Sequence, residues 1–361
     1  MTKSMERNSK PATTMTPRER VRRAIEFDYP DCLPLRFSSD AERSDFIGLK
    51  LNPPRGWTPP FVDGQQSHYT DGHRAPSLMQ ATTAGVDEWG SVWQDHEITS
   101  LGQVKGVPLQ EWSDLQGYVF PDAEAPGRFD DALPVIERYR DRYLVGSIGL
   151  MGFNRLLFLR GFENLMCDLL AEPEKAGLLA DRVFAFMKGI AAGWARLGVQ
   201  AVSVGDDLGT ERGAMMSPAL FRSFFKPRYA EFCAHCHALG LHAVLHSCGN
   251  VWDIIPDLIE TGFDVLNLEQ PNVFGLQRLG ETFGGNVCFL TNPDSQTTIP
   301  VKSPAEVAEE TRQVVRALAT EKGGLIANAD CTWNHGYTPQ ENLQAMAQAF
   351  EEMRRRPYGA W

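Results

Sequence analysis

The stretch His242-Ala243-Val244-Leu245-His246-Ser247-Cys248-Gly249-Asn250 opens as a strand and closes as a row of polar, metal-capable groups. Ala243-Val244-Leu245 is the short apolar run of a strand covered on both faces, and Gly249 allows the chain to turn away sharply after Cys248. Similar runs recur on either side: 33–37, 144–148, 201–204, 264–268, 287–290 and 325–329. Amphipathic stretches at 162–197, 218–239, 251–261, 303–321 and 339–355 separate them. Ser217-Pro218 and Ser303-Pro304 read as helix starts, and Gly198, Gly240 and Gly262 as C-caps. Strand and helix in alternation predict a parallel sheet with helices outside it. The fold class expected is therefore α/β, a (β/α)8 TIM barrel, with an open doubly wound sheet as the rival. The rhythm gives seven strands, and the eighth is expected somewhere in 70–110. No glycine-rich dinucleotide loop follows any strand.

At the N-terminal side, Thr16 is an N-cap, Pro17 the first helical residue and Glu19 the partner of a capping box. Residues 1–15 read as a disordered tail, and 16–361 as a single domain. Within it, 50–130 is rich in Pro, Gly, Trp and Asp and is expected to be an irregular insertion capping the barrel mouth.

In either architecture, chemistry belongs at the C-terminal ends of the strands. Those ends read Gly205-Asp206-Asp207, His246-Ser247-Cys248, Glu269-Gln270-Pro271, Thr291-Asn292-Pro293 and Asp330-Cys331-Thr332-Trp333. Side chains two apart on a strand share a face, with Cα atoms roughly 6.6 Å apart. An imidazole nitrogen from His246 and a thiolate from Cys248 can therefore meet on one zinc ion. Cys331 lies three strands further on, where closure of a barrel can bring it across the mouth. Three protein ligands and one open position is the arrangement of catalytic zinc. The bland alternative is a chance pair in which the cysteine is merely buried. Asp206 and Asp207 are candidates for a fourth ligand, for holding substrate or for proton transfer, against helix capping. Asn250, Glu269, Asn292 and Trp333 are candidate cofactor-binding residues. Cys233-Ala234-His235-Cys236 falls inside a helix without a second such pair and reads as a buried face. His242 shares the face of His246 but belongs near the lower end of the barrel. His335 reads as a solvated loop residue, and Cys32, Cys167 and Cys288 as core.

The composition narrows the partners. Lys+Arg 35 against Asp+Glu 46 gives a net charge of -11, and no basic run offsets it, so neither nucleic acid nor an anionic membrane is an expected partner. No apolar stretch approaches the roughly 18 residues of a membrane span, and the polar N-terminus lacks the core of a secretion signal. Seven cysteines without disulfide spacing suit a reducing cytoplasm.

From Thr16 onward the chain resembles the uroporphyrinogen decarboxylase superfamily, and within it the zinc-dependent corrinoid methyltransferases of the methylcobalamin:coenzyme M type. The resemblance is carried by Pro17-Arg18-Glu19-Arg20, Asp31-Cys32-Leu33-Pro34, Gly85-Val86-Asp87-Glu88-Trp89-Gly90 and Gly205-Asp206-Asp207-Leu208-Gly209. Its most specific pieces are His246-Ser247-Cys248-Gly249-Asn250 and Gly323-Gly324-Leu325-Ile326 running into Asp330-Cys331. The resemblance implies zinc on His246, Cys248 and Cys331, methyl transfer from a methylated corrinoid to a small-molecule thiol, and a corrinoid protein or methylcobalamin as donor. Barrels of this type often pair, so a homodimer is an open expectation. The arginine-rich segment that grips propionates in true decarboxylases is absent around Leu35-Arg36-Phe37, which argues against porphyrinogen decarboxylation. A metal-independent decarboxylase or lyase, a non-catalytic corrinoid- or metal-binding protein, and a zinc hydrolase remain the alternatives.

Overall fold

A computed structural model describes residues 15–58, 84–94, 103–330 and 338–361, together with the backbone of short strands between 61 and 74. The tail at 1–14 and the segment holding Cys331, Trp333 and His335 lie outside the described residues.

Eight strands run parallel in one sheet: β1 Leu35–Arg36, β2 Phe46–Leu49, β3 Tyr143–Leu150, β4 Ala201–Gly205, β5 His242–His246, β6 Val265–Asn267, β7 Cys288–Thr291 and β8 Leu325–Asn328. Their order is β1-β8-β7-β6-β5-β4-β3-β2, so from β2 to β8 each strand pairs with its neighbour in the chain, and β1 pairs with β8. The amide of Asp45 donates to the Leu35 carbonyl at 2.8 Å, drawing the two end strands together toward a closed TIM barrel. The predicted strands are present, with ends moved by one or two residues.

The eighth strand is not in 70–110. It is β2, a short strand whose Gly48 interrupts its apolar pattern. Its place is fixed from afar by Asp45, just before it, which is buried between Arg20 and Arg354. Within 70–110, three short strands, Ala84–Val86, Val92–Gln94 and Gln103–Gly106, form an antiparallel sheet of their own. Buried Asp87 ties this insertion to the barrel by accepting from the amides of Trp89 and Ser91, Trp93 Nε1 and Arg155 Nη1.

The expected helix at 162–197 is two helices, Phe162–Ala171 and Pro173–Arg196, because Pro173 begins a new helix after the non-helical Glu172. Gly198, Gly240 and Gly262 have φ of 75°, 74° and 98°, as helix-ending glycines do.

The core has two layers. One packs the outer faces of the strands against the helices. The other fills the barrel with inward residues including Val145, Val244, Val265, Leu290 and Ile326, and is closed below by Val21 and Ile25 of the first helix, Pro17–Ile25. Because side chains alternate along a strand, the residue two beyond Val244, namely His246, points inward one layer nearer the mouth. The same step carries Val265 to Asn267 and Ile326 to Asn328, so polar groups replace aliphatic ones at the upper layer. No helix among the described residues is long and apolar enough to cross a membrane.

Candidate metal centre

His246 ends β5, and Cys248 follows where the chain leaves the sheet. Gly249, at φ 79°, makes that departure possible, since a Cβ there would lie 2.3 Å from the carbonyl carbon of Gly209. Ser247 turns the other way, donating its amide to the Asn267 carbonyl at 3.1 Å. The result sets the Cys248 sulfur 3.5 Å from His246 Nε2.

Asp207, at the end of β4, completes the cluster. Its carboxylate oxygen is 3.7 Å from His246 Nε2 and accepts the Cys248 amide at 2.9 Å. One ligand atom each from Asp207, His246 and Cys248 lies within 4.8 Å of the others, the one such group among the described residues. All three are half-buried. The second ring nitrogen of His246 is held by Asn267 Oδ1 at 3.0 Å, and Asn267 Nδ2 donates to the Leu290 carbonyl at 2.7 Å. That makes Nδ1 the nitrogen that keeps its proton and leaves Nε2, facing Cys248 and Asp207, as the nitrogen available to a metal. A donor set of imidazole nitrogen, thiol sulfur and carboxylate oxygen, with the histidine fixed by a partner behind it, fits a zinc ion.

The electrostatics agree. Burial opposes charge on His246, yet the Cys248 sulfur, then Glu269 and Asp207, outweigh it and push the imidazole up to about 10. Burial raises the Cys248 thiol, and the two carboxylates add to that effect against the pull of His246. Anionic groups thus crowd a place that one imidazolium satisfies poorly and a divalent cation would satisfy well.

Asp206 and Asp207 part company. Asp206 is fully buried and accepts from the amides of Phe153 and Asn154, both at 2.8 Å, and from the Tyr229 hydroxyl. It caps the helix Phe153–Arg160, whose own sequence offers only Gly152 at that position. Burial raises its pKa to about 7. Asp207 alone faces the cluster.

Glu269 is buried beside His246 and Cys248. Asn292 is also buried and accepts from Asn328 Nδ2 at 2.9 Å, while Asn328 accepts from Arg36 Nη1 at 2.9 Å, a polar chain across the upper barrel. Asn250 lies outside that layer; its amide donates to the Thr210 carbonyl and its side chain accepts the Trp252 amide. Asn267, Arg36 and Asn328 were not singled out in the sequence. For Asn267 and Asn328 the signal was position alone, a polar residue two beyond an aliphatic one at a strand end; Arg36, two beyond Pro34, lacks even that.

His242 sits at the lower end, its Nδ1 2.5 Å from the Tyr143 hydroxyl. Cys233 and Cys236 are buried in their helix, and Cys32 and Cys288 in the core. Cys167 is exposed, contrary to its reading as core, because the helix Phe162–Ala171 turns Leu165 and Leu169 inward instead.

The uroporphyrinogen decarboxylase (URO-D) family pattern matches residues 104–353. Two methylcobamide:CoM methyltransferases MtaA, from Methanosarcina barkeri and its strain Fusaro / DSM 804, are 26% and 27% identical over 161 and 162 residues. These alignments take in 43% of this chain and 42% of each relative, less than half the length of the curated proteins. A solved methyltransferase from Methanosarcina mazei superposes with a TM-score of 0.65 at 17% identity, covering 94% of this chain and 99% of that one. At that identity the likeness is one of fold.

Proposed function

The chain belongs to the uroporphyrinogen decarboxylase family, and from that premise we propose that it is a zinc-dependent enzyme moving a methyl group from a methylated corrinoid to a thiol. The observation that carries the reading is the convergence of His246, Cys248 and Asp207 at the barrel mouth, with Asn267 fixing the imidazole. The likeness to the methylcobamide:CoM methyltransferases supports the donor and acceptor classes. His246 and Cys248 would hold the zinc together with Cys331, which follows β8 in the sequence and lies outside the described residues.

Zinc bound there would keep a substrate thiol as its thiolate near neutral pH, supplying a nucleophile. Such a transfer would break the donor's cobalt–carbon bond with the electron pair left on the donor, form a sulfur–carbon bond and release the thiol proton to solvent. The chain's own residues prepare this event. Asn267 fixes one ring proton on Nδ1 of His246, so that Nε2 is the nitrogen that would give up its proton to bind zinc. Asp207 holds the Cys248 amide and so aims its sulfur. Glu269 and Asp207 add negative charge, which favours an electron-rich sulfur. The Arg36–Asn328–Asn292 chain offers polar groups for the rest of the acceptor.

The test is methyl transfer itself. Methylcob(III)alamin is mixed with the protein and a panel of small thiols, and cob(I)alamin is followed by absorbance without oxygen. Turnover with at least one thiol, abolished by a chelator and by Cys248→Ala, is expected. Thiol-independent or chelator-insensitive activity would contradict the reading.

A further inference from the structure

Four consecutive amides run through the loop that carries Cys248, and each is committed to a different neighbour. The Ser247 amide donates to the Asn267 carbonyl at 3.1 Å and the Asn250 amide to the Thr210 carbonyl at 2.6 Å. Between them, the Cys248 amide donates to Asp207 Oδ1 at 2.9 Å and the Gly249 amide to Gln270 Oε1 at 2.7 Å. The two backbone acceptors would persist in any sequence that keeps the path of the chain. The two side-chain acceptors would not. Asp207 belongs to the metal-capable cluster itself, whereas Gln270 is uncharged and no part of it.

The need for Gln270 arises at the Gly249 turn. With φ at 79°, the chain leaves the strand, and the Gly249 amide finds its acceptor in a side chain rather than in the sheet. On its other side the turn presses on a second backbone, since a Cβ there would lie 2.4 Å from the Gly209 carbonyl oxygen. The Gly249–Gln270 contact is buried, and a buried amide without an acceptor costs about 1–3 kcal/mol. Gln270 is well held for this duty. It is buried just beyond β6, the Glu269 carbonyl before it accepts the Ser295 amide at 3.0 Å, and its own carbonyl accepts the Val273 amide at 3.2 Å in the short helical turn Pro271–Val273.

We propose that Gln270 is a positioning residue of the metal centre, locking the peptide after Cys248 and so aiming the sulfur beside His246 Nε2. The assignment rests on the zinc reading above and deepens it. Two peptide planes flank Cys248. Asp207 holds the one before it through the Cys248 amide, and Gln270 holds the one after it through the Gly249 amide. With both planes fixed, the Cα–Cβ bond of Cys248 keeps one direction, and the sulfur stands 3.5 Å from Nε2. Without Gln270 the Gly249 peptide turns to seek another acceptor, and the sulfur moves with it.

Zinc affinity of the full chain, measured by competition with a chromophoric chelator, tests this. Cobalt(II) serves as a second probe because its absorbance reports the sulfur bound to it. Gln270→Met keeps the length and neutrality of the side chain and removes the acceptor oxygen. It is expected to weaken zinc about tenfold, within the cost of one buried amide left unpaired, and to lower the sulfur-to-cobalt absorbance per bound ion. Gln270→Glu keeps an acceptor for the Gly249 amide and should bind zinc at least as tightly as the parent. Asn267→Ala, which acts through the imidazole, should lose affinity without losing sulfur absorbance, a contrast that general loosening of the fold would not give. Should Gln270→Met fail to fold, Gln270→Asn, one methylene short of Gly249, is judged by the same criteria. Zinc affinity of Gln270→Met within twofold of the parent, an equal loss in Gln270→Glu, or an equal loss of sulfur absorbance in Asn267→Ala would overturn the proposal and leave the zinc reading standing. A parent that binds neither metal would overturn both.

Discussion

Replacing Asn267 by alanine separates a zinc centre from an ordinary buried histidine. The side-chain hydrogen bonds of Asn267 go to His246 and Leu290 and not to the Cys248 sulfur or Asp207. Its Oδ1 accepts from His246 Nδ1 at 3.0 Å, and its Nδ2 donates to the Leu290 carbonyl at 2.7 Å. Its backbone carbonyl still accepts the Ser247 amide in the variant, so the strand should persist. Two buried hydrogen bonds at about 1 kcal/mol each put the expected stability loss near 2 kcal/mol. The loss of the partner behind a metal-binding histidine lowers metal affinity roughly 10- to 100-fold, about 1.4–2.7 kcal/mol. The assay is competition for zinc against a chromophoric chelator, with urea unfolding run alongside. Zinc affinity within twofold of the parent, in a variant that shows the stability loss, would refute the reasoning, because His246 would then not need its proton placed.

Other perturbations probe the frame around the site. Asp87→Ala strands Arg155, which is fully buried against it, and should cost about 3–5 kcal/mol in urea unfolding; a loss under about 1 kcal/mol would contradict the clamp. Gly249→Ala forces a side chain onto φ 79° and against the Gly209 backbone, so both stability and zinc retention should fall, the former by at least about 1–3 kcal/mol. Burial raises the pKa of Asp257, but Arg222 and Lys226 outweigh it and hold the group below 3.8. Its stabilising effect is therefore full above that value and lost as pH falls through the depressed one; Asp257→Asn should flatten the acid limb of a stability–pH curve and leave its neutral region parallel to the parent.

The barrel was largely legible in the sequence because its central strands are continuous apolar runs between capped helices. β5 matches its expected bounds, from His242 to His246. What failed was set by distant partners. β2 is four residues with a glycine, held by Asp45 between two arginines from opposite ends of the chain, and no local pattern reports that. The helix Phe153–Arg160 borrows its cap from Asp206, more than fifty residues away, which also explains why one member of the aspartate pair faces the cluster and the other does not. His246 and Cys248 were readable from spacing. Asn267 was not, since an asparagine at a strand end means little until the neighbouring strand puts a histidine beside it.

Metal analysis of the purified protein and of two variants bears most directly on the zinc centre. One equivalent of zinc in the parent, and little or none in either Cys248→Ala or Cys331→Ala of native-like fold, is the predicted result. Full zinc in both variants would show that the ion, if one is needed at all, is held elsewhere.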